Sequence, residues 1–271
     1  GAGTFSDGKL RTGISDPRVA EVLRRLAEAG APAEILCDAR PHAGTDRLRL
    51  VVEKLCRHVE ECGGEIRWGV RVDGLRTQGG SLCGFETSAG PVESSVALMA
   101  PGPYADDTFA MLARCGVAVQ AKPFQMGLRI EHPQELIDRG VYGRSAGHPA
   151  LGPADYSLTD RSERPVTCFC VCPGGVLLPA VAAPGMLCTN GMSNYRRNSG
   201  RCNGALIATV PPAEFGSDDA LAGLALQRHC ERLAFQAGGC DYAAPCQTAP
   251  DFLSGAVRPV NLATTYPRGL A

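Results

Sequence analysis

The first part of the chain places apolar residues at helical spacing in two segments. Val19, Val22, Leu23 and Leu26 form one apolar face, with Asp16 and Pro17 in front as an N-cap and a first-turn proline, and Gly30 behind. Residues 48–59 repeat the pattern, and a pair of glycines follows them. The sequence therefore predicts two helices.

Three shorter apolar segments follow and are typical of strands. They cover residues 65–72, 82–87 and 92–100 and are separated by turn-forming residues. A short helix is predicted at residues 106–115. The order helix, helix, strand, strand, strand suits the middle of a nucleotide-binding α/β domain whose first strand and helix lie upstream.

The character of the chain changes near Lys122, after which strands and turns dominate. Predicted strands cover residues 126–131, 166–172, 176–181 and 205–210. A long helix is predicted up to a glycine pair at residues 238–239, and the polar stretch 142–165 is predicted to be a surface excursion.

Composition and charge narrow the function classes. The apolar fraction is 44%, the charged fraction is 20% and the formal net charge is −1, so nothing favours nucleic acid or an anionic membrane surface. No apolar run is long enough to span a bilayer, and the first residues do not resemble a signal peptide. We therefore predict a cytoplasmic protein that binds neither nucleic acid nor membrane; its oligomeric state stays open.

The thirteen cysteines are many for such a protein. No CxxC pair is present, which argues against zinc, and the chain is too long for a disulfide scaffold. We predict no metal site and expect most of these thiols to be buried as small apolar groups. Cys168, Cys170 and Cys172 alternate, so a regular strand would place them on one face. Cys172, next to a Pro-Gly-Gly turn, is an alternative as a reactive thiol.

Two loops could hold an anion or a cofactor. Residues 1–9 are rich in glycine, and their N–H groups could donate to oxyanions together with the Thr4 and Ser6 hydroxyls. A flexible tail is the alternative, since no strand precedes this loop; we interpret it as a truncation point. Residues 42–47 start the second helix, where a helix N-terminus favours anions, although simple capping explains the same residues.

The residues alone go no further than a soluble α/β protein with nucleotide-type loops. Beyond them, six segments form a recognisable set. They are residues 1–10, 41–48, 63–68, 122–137, 170–175 and 189–193. In this order they resemble a group of large bacterial FAD-dependent oxidoreductases, mostly uncharacterised and often labelled NAD(FAD)-utilising dehydrogenases.

The resemblance implies a three-layer FAD/NAD(P)-binding domain with an inserted strand-rich domain, so the fold class is predicted as α/β or, more broadly, α+β. Residues 1–122 would be part of the FAD-binding domain, residues 123–250 the inserted substrate or cap domain, and residues 251–271 a return segment. FAD would carry the electrons, a reduced nicotinamide is a plausible donor, and an unknown small molecule would be the substrate.

Individual contacts follow from the resemblance and from the helix start. The loop at residues 1–9 would lie against the flavin or its diphosphate, Val72 would meet the adenine, and the Cys172 turn would approach the isoalloxazine. Cofactor contacts are predicted at Gly1, Gly3, Thr4, Ser6, Asp7, Gly8, Lys9, Gly44, Thr45, Val72, Pro101, Gly102, Cys172, Pro173 and Gly174. No catalytic residue is assigned; Cys172 and His42 are the candidates.

Departures from the family limit this hypothesis. Intact relatives carry an upstream GxGxxG loop and a downstream glycine-rich flavin segment, and neither is present here. Gly102 is followed by Pro-Tyr instead of the usual His-Ser. We expect this polypeptide alone to bind FAD weakly or not at all and to be inactive. A non-catalytic scaffold that kept the flavoprotein fold, and a thiol-based redox sensor, are the alternatives.

Overall fold

The computed structural model describes residues 8–10, 12–259 and 262–267. Its α-helices are α1 (Arg18–Glu28), α2 (Thr45–Glu61), α3 (Asp106–Arg114), α4 (Gln134–Tyr142), α5 (Ala222–Ala237) and α6 (Ala249–Ser254). Its strands are β1 (Val72–Gln78), β2 (Ser81–Thr87), β3 (Val92–Glu93), β4 (Phe124–Pro133), β5 (Thr159–Asp160), β6 (Val166–Cys172), β7 (Val176–Ala180), β8 (Cys188–Met192) and β9 (Arg201–Val210). Helices and antiparallel sheets are mixed, which confirms the predicted α+β class.

The first two helices enclose a small apolar core. Ile35, Ala43 and Val51 are each at most 1% exposed, and Leu23 and Leu26 of α1 pack against them. Burying apolar area of this kind is the main favourable term in folding. The two helices predicted from apolar spacing are confirmed, and their packing fixes where α2 begins.

The first sheet has the order β1-β2-β3 and is antiparallel. The predicted strand at residues 65–72 is wrong, because β1 begins only at Val72. A turn at Trp68 and Gly69 interrupts the extended run, and Gly69 has a φ of +72° there. Val72 therefore lies at the start of a strand and not at its end.

The strand predicted at residues 92–100 is also largely wrong. Only Val92 and Glu93 pair with β2. The Ser94 hydroxyl then donates to the Val96 carbonyl at 2.7 Å, which turns the backbone away from extended geometry. Val96 is 80% exposed and Leu98 is 95% exposed. This segment is an irregular surface stretch and not a buried central strand.

The second sheet has the order β4-β9-β6-β5, with antiparallel neighbours throughout. β4 and β9 pair without interruption from Phe124 opposite Val210 to Pro133 opposite Arg201. A separate hairpin joins β7 and β8. The strands predicted at residues 126–131, 166–172, 176–181 and 205–210 are confirmed, with longer bounds for β4 and β9. Helix α5 ends before the predicted glycine pair.

The expected row of three cysteines on one strand face is wrong. The pairing of β6 with β9 shifts register between Phe169 and Cys172. Cys170 lies inside this irregularity with a φ of +47°, a region that residues other than glycine rarely adopt. The bulge breaks the strict alternation that the expectation required. Cys172 is thereby aimed independently of Cys168.

Helices α4 and α6 and strands β5 and β8 were not predicted from the sequence. Near the end of the chain, the Thr265 amide donates to Glu131 of β4 at 3.0 Å. The Thr265 hydroxyl accepts from the Leu177 amide of β7 at 2.9 Å. The last described segment is thus fixed to the second sheet. In the described part of the chain, every helix is too short or too polar to span a bilayer.

Candidate functional site

The end of the glycine-rich loop pairs with the segment that leads into α2. Lys9 and His42 form an isolated antiparallel bridge. The Leu10 amide donates to the Pro41 carbonyl at 2.9 Å, and the Ala43 amide donates to the Gly8 carbonyl at 2.8 Å. His42 is buried, at 7% exposed. Two loops that the sequence predicted as cofactor contacts are therefore in direct contact with each other.

Close backbone approach at this point requires glycine. Gly8 has a φ of +74°, and a Cβ there would lie 2.6 Å from the Gly44 nitrogen. Gly44 has a φ of +84°, and a Cβ there would lie 2.5 Å from the Tyr195 nitrogen. Both conformations and both distances exclude a larger side chain. The three chain segments around Gly8, Gly44 and Tyr195 are thus stacked backbone against backbone.

The start of α2 is anchored by the segment after β8. The Thr45 amide donates to the Ser193 carbonyl at 3.0 Å, and its hydroxyl donates to the same oxygen at 3.2 Å. Asp46 accepts from the Tyr195 amide at 2.8 Å. The Arg47 guanidinium lies 3.7 Å from the centroid of the Tyr195 ring. Capping of α2 is therefore shared with a loop about 150 residues further along the chain.

The same loop holds the turn that follows β6. The Ser193 hydroxyl donates to the Pro173 carbonyl at 3.1 Å, and Ser193 is 2% exposed. The Gly174 amide donates to the Gln134 side chain at 2.8 Å, and Gln134 is 7% exposed. The Gly175 amide donates to the Cys172 carbonyl at 3.2 Å. The Cys-Pro-Gly-Gly turn is thus fixed on both sides by buried polar side chains.

Lys9 and Cys172 connect these loops through their side chains. The Lys9 Nζ atom donates to the Cys172 Sγ atom at 3.1 Å. The Cys172 thiol donates to the Cys170 carbonyl at 3.3 Å, and Cys172 is 0% exposed. Gly8, Lys9, His42, Gly44, Thr45, Cys172, Pro173 and Gly174 form one cluster, which we call the three-loop cluster.

Two buried donors beside this cluster have no acceptor in the part of the chain that the structure describes. Asn203 faces Cys172 across the β6–β9 pair and is 0% exposed. Its Oδ1 atom accepts from Arg129 Nη1 at 2.8 Å, and Arg129 Nη2 donates to Asn190 at 3.3 Å. Within the described residues, neither Asn203 Nδ2 nor Arg129 Nε has a hydrogen-bond acceptor. Buried donors of this kind fit a ligand that brings acceptor atoms, as the pyrimidine end of a flavin does.

Burial also shifts the pKa values of three ionisable groups around the cluster. Desolvation raises the pKa of the Cys202 thiol to about 12, and the neighbouring Cys172 adds to the effect. Burial raises the pKa of the Tyr156 hydroxyl and lowers that of His132, and these two side chains lie 3.1 Å apart. Burial thus keeps these three side chains neutral at neutral pH. No group of three or more metal-ligating side chains occurs in the described residues.

The remaining predicted contacts lie elsewhere or outside the described residues. Gly1, Gly3, Thr4, Ser6 and Asp7 are in the undescribed N-terminal segment. Val72 starts β1, in the sheet that packs near α3. Pro101 and Gly102 are exposed, and the next carbonyl, that of Pro103, accepts from Arg228 of α5 at 3.4 Å. No hydrogen bond in the described residues joins Val72, Pro101 or Gly102 to the three-loop cluster.

Sequence reasoning missed four residues of this region. They are Arg129, Gln134, Ser193 and Asn203. Gln134 and Ser193 lie inside two of the segments that carried the family resemblance, which was the available signal. Arg129 lies in the first of those segments as well, while Asn203 lies outside all six segments and before the strand predicted at residues 205–210.

Comparison with known proteins identifies a matching family and a similar protein. A model of the family described as "FAD-dependent protein, C-terminal domain-like" matches residues 123–271. A protein of Clostridium beijerinckii (strain ATCC 51743 / NCIMB 8052) described as "Uncharacterized protein" is 42% identical over 260 residues. The match covers 95% of this chain and 49% of that protein, so the chain spans about half the length of the relative.

Proposed function

The chain belongs to the family described as FAD-dependent protein, C-terminal domain-like, and on this basis we propose that it forms part of a flavin-dependent oxidoreductase. This chain would supply part of the FAD-binding site of that enzyme. The observation that carries the proposal is the convergence of Gly8–Lys9, Gly44–Thr45 and Cys172–Gly174 in the three-loop cluster. Three segments that separately resemble the family meet at one place.

The roles of the residues follow from their chemistry. The Lys9 amine and the glycine backbone at Gly8 and Gly44 suit the oxyanions or carbonyls of the cofactor. Arg129 and Asn203 offer the buried donors that still lack acceptors among the described residues. When bound, FAD supplies the electron-transfer chemistry, and this chain supplies binding and a water-poor environment. Cys172 and His42 remain the candidate catalytic residues, and the substrate stays open.

The domain organisation is part of the proposal. We place a partial FAD-binding domain at residues 1–122, an inserted strand-rich domain at 123–250 and a return segment at 251–271. The family match begins at residue 123, which supports a boundary there. Val72 and the Pro101–Gly102 turn would contact the cofactor farther along its length, since FAD is a long molecule. A reduced nicotinamide would be the electron donor.

Titration of the purified chain with FAD, followed by flavin fluorescence and visible absorption, tests the proposal. We expect weak but saturable binding with a perturbed flavin band, because only part of the site is present. Lys9→Gln should weaken binding about tenfold, the value of one charge-assisted hydrogen bond. Lys122→Gln, which changes an exposed lysine outside the cluster, is the matched control.

The two outcomes are distinct. Saturable binding that Lys9→Gln weakens and Lys122→Gln leaves unchanged would support a flavin site at the three-loop cluster. No saturable binding, or equal loss in both variants, would remove the cluster from the flavin site and leave a scaffold protein as the better description of this chain.

A further inference from the structure

A lysine amine and a buried thiol meet in the three-loop cluster. Lys9 Nζ lies 3.1 Å from Cys172 Sγ, although 163 positions separate the two residues in the sequence. Cys172 is 0% exposed and ends strand β6. We propose that this pair is an oxidation site, at which one oxygen atom bridges the lysine nitrogen and the cysteine sulfur covalently.

The contact is held by the backbone on both sides. The Lys9 main chain is fixed by its bridge to His42 and by the hydrogen bonds that flank that bridge. Cys172 is fixed by its pairing with Asn203 and by the hydrogen bond from the Gly175 amide to its carbonyl. The amine and the thiol are therefore presented to each other by two anchored segments. Such preorganisation raises the effective concentration of two reacting groups.

The reaction balances with dioxygen as the oxidant once the Lys9 ammonium group has released one proton to solvent and become a neutral amine. The S–H bond, one N–H bond and the bond of O₂ break, while one S–O bond, one N–O bond and the two O–H bonds of a water molecule form. Sulfur and nitrogen lose two electrons each, and dioxygen accepts all four. One oxygen atom becomes the bridge, and the other leaves as water with the two displaced hydrogens.

The separation of the two atoms favours an inserted oxygen over a direct bond. A single bond to sulfur is no longer than the S–S bond of about 2 Å, so a direct N–S bond would require the atoms to approach by at least about 1 Å. Both segments are anchored, and such a shift would disturb the pairing of β6 with β9. An oxygen atom between them spans nearly the existing gap. The product would tie the segment before α1 to the end of β6.

Mass spectrometry of the folded, purified chain tests this inference without any cofactor. One sample is incubated in oxygen-saturated buffer and a second is kept anaerobic, and both are digested without reductant. We expect the oxygen-exposed sample to yield the Lys9 and Cys172 peptides joined, with the mass of their sum plus one oxygen and minus two hydrogens. Dithiothreitol should release the two peptides by reducing the bridge.

Matched variants locate the bridge. Lys9→Arg keeps the positive charge and donor groups but lacks the amine, so the joined peptides should disappear. Lys122→Arg changes a lysine outside the cluster and should leave them in place. Circular dichroism spectra check that both variants are folded.

Three results would overturn the assignment. The Cys172 peptide could be recovered unlinked from oxygen-exposed folded protein, the link could persist in Lys9→Arg, or the joined mass could lack the added oxygen. The outcome is independent of flavin binding, since a chain that never binds FAD can still form the bridge and a flavoprotein can lack it.

Discussion

Two segments for which the apolar pattern predicted strands have different structures in this molecule. They are residues 96–100, the end of the strand predicted at residues 92–100, and residues 166–172, which were predicted as a strand throughout. The second becomes β6, paired with β9 on one side and β5 on the other. The first lies irregular on the surface, with Leu98 95% exposed. An apolar segment therefore becomes a strand only where a neighbouring strand satisfies its backbone groups.

Placing the same charged residue in each of the two segments tests whether one is buried and the other exposed. Ile207 lies in β9, 8% exposed, between Gly127 of β4 and Thr167 of β6. Ile207→Asp should cost more than about 4 kcal/mol of unfolding free energy, because it buries a carboxylate without a partner. Leu98→Asp should change it by no more than about 0.5 kcal/mol. Urea unfolding followed by circular dichroism measures both.

Two results would contradict the difference in burial between these segments. A large loss of stability in Leu98→Asp would mean that residues 96–100 are buried in solution, and the comparison would collapse. A small loss in Ile207→Asp would mean that β9 is not the centre of the second sheet.

A second pair of variants tests how tightly the turn at the end of β6 is packed. Gly174 has a φ of +53°, and a Cβ there would lie 1.7 Å from the Arg197 carbonyl oxygen. Gly147 has a φ of +81° but open space around it. Gly147→Ala should cost about 1 kcal/mol from backbone strain alone. Gly174→Ala should cost about 2 kcal/mol more because backbone atoms must move apart.

Thermal unfolding of the two alanine variants separates backbone strain from steric overlap. Both glycines have a positive φ, but only Gly174 has backbone atoms close to the added Cβ. Equal losses would show that the Cys-Pro-Gly-Gly turn is not packed against the 193–199 loop. That result would also remove one wall of the three-loop cluster.

Helices and paired strands could be predicted from the sequence where local signals agree. Helix α2 has an apolar face and a glycine pair behind it, and α5 ends in the same way. Strand β6 was predicted with the bounds that the structure gives it. The strand at residues 92–100 failed because pairing depends on a distant neighbour, which no local pattern encodes.

The candidate site, too, could be predicted from the sequence only in part. The family resemblance selected the segments that contain Lys9, Thr45 and Cys172, but residue patterns alone could not bring these side chains together. Contacts such as that between Lys9 and Cys172 are set by tertiary packing over 163 positions. The bulge at Cys170 likewise depends on how β6 meets β9. Asn203 carried no local sign of a role, since a polar residue in a strand usually faces water.

The smallest expected effect concerns pH and compares a buried with an exposed thiol. Cys202 lies in β9 at 0% exposed, and Cys115 follows α3 on the surface. Burial raises the pKa of Cys202 from about 9 in the unfolded chain to about 12 in the fold. Above pH 9 the unfolded chain therefore binds fewer protons than the folded one at this site. Stability should fall as the pH rises from 9 toward 12, by at most about 1.4 kcal/mol per pH unit.

The measurement is the slope of unfolding free energy against pH between 9 and 11. Replacing the thiol removes its titration, so Cys202→Ala should show a shallower slope than the wild type, whatever its absolute stability. Cys115→Ala is the matched control for replacing a thiol by alanine at the surface. Identical slopes in all three proteins would mean that Cys202 is as accessible to water as a surface thiol. The β6–β9 pair would then be as open as the segment at residues 96–100, and the contrast between the two regions would not hold in solution.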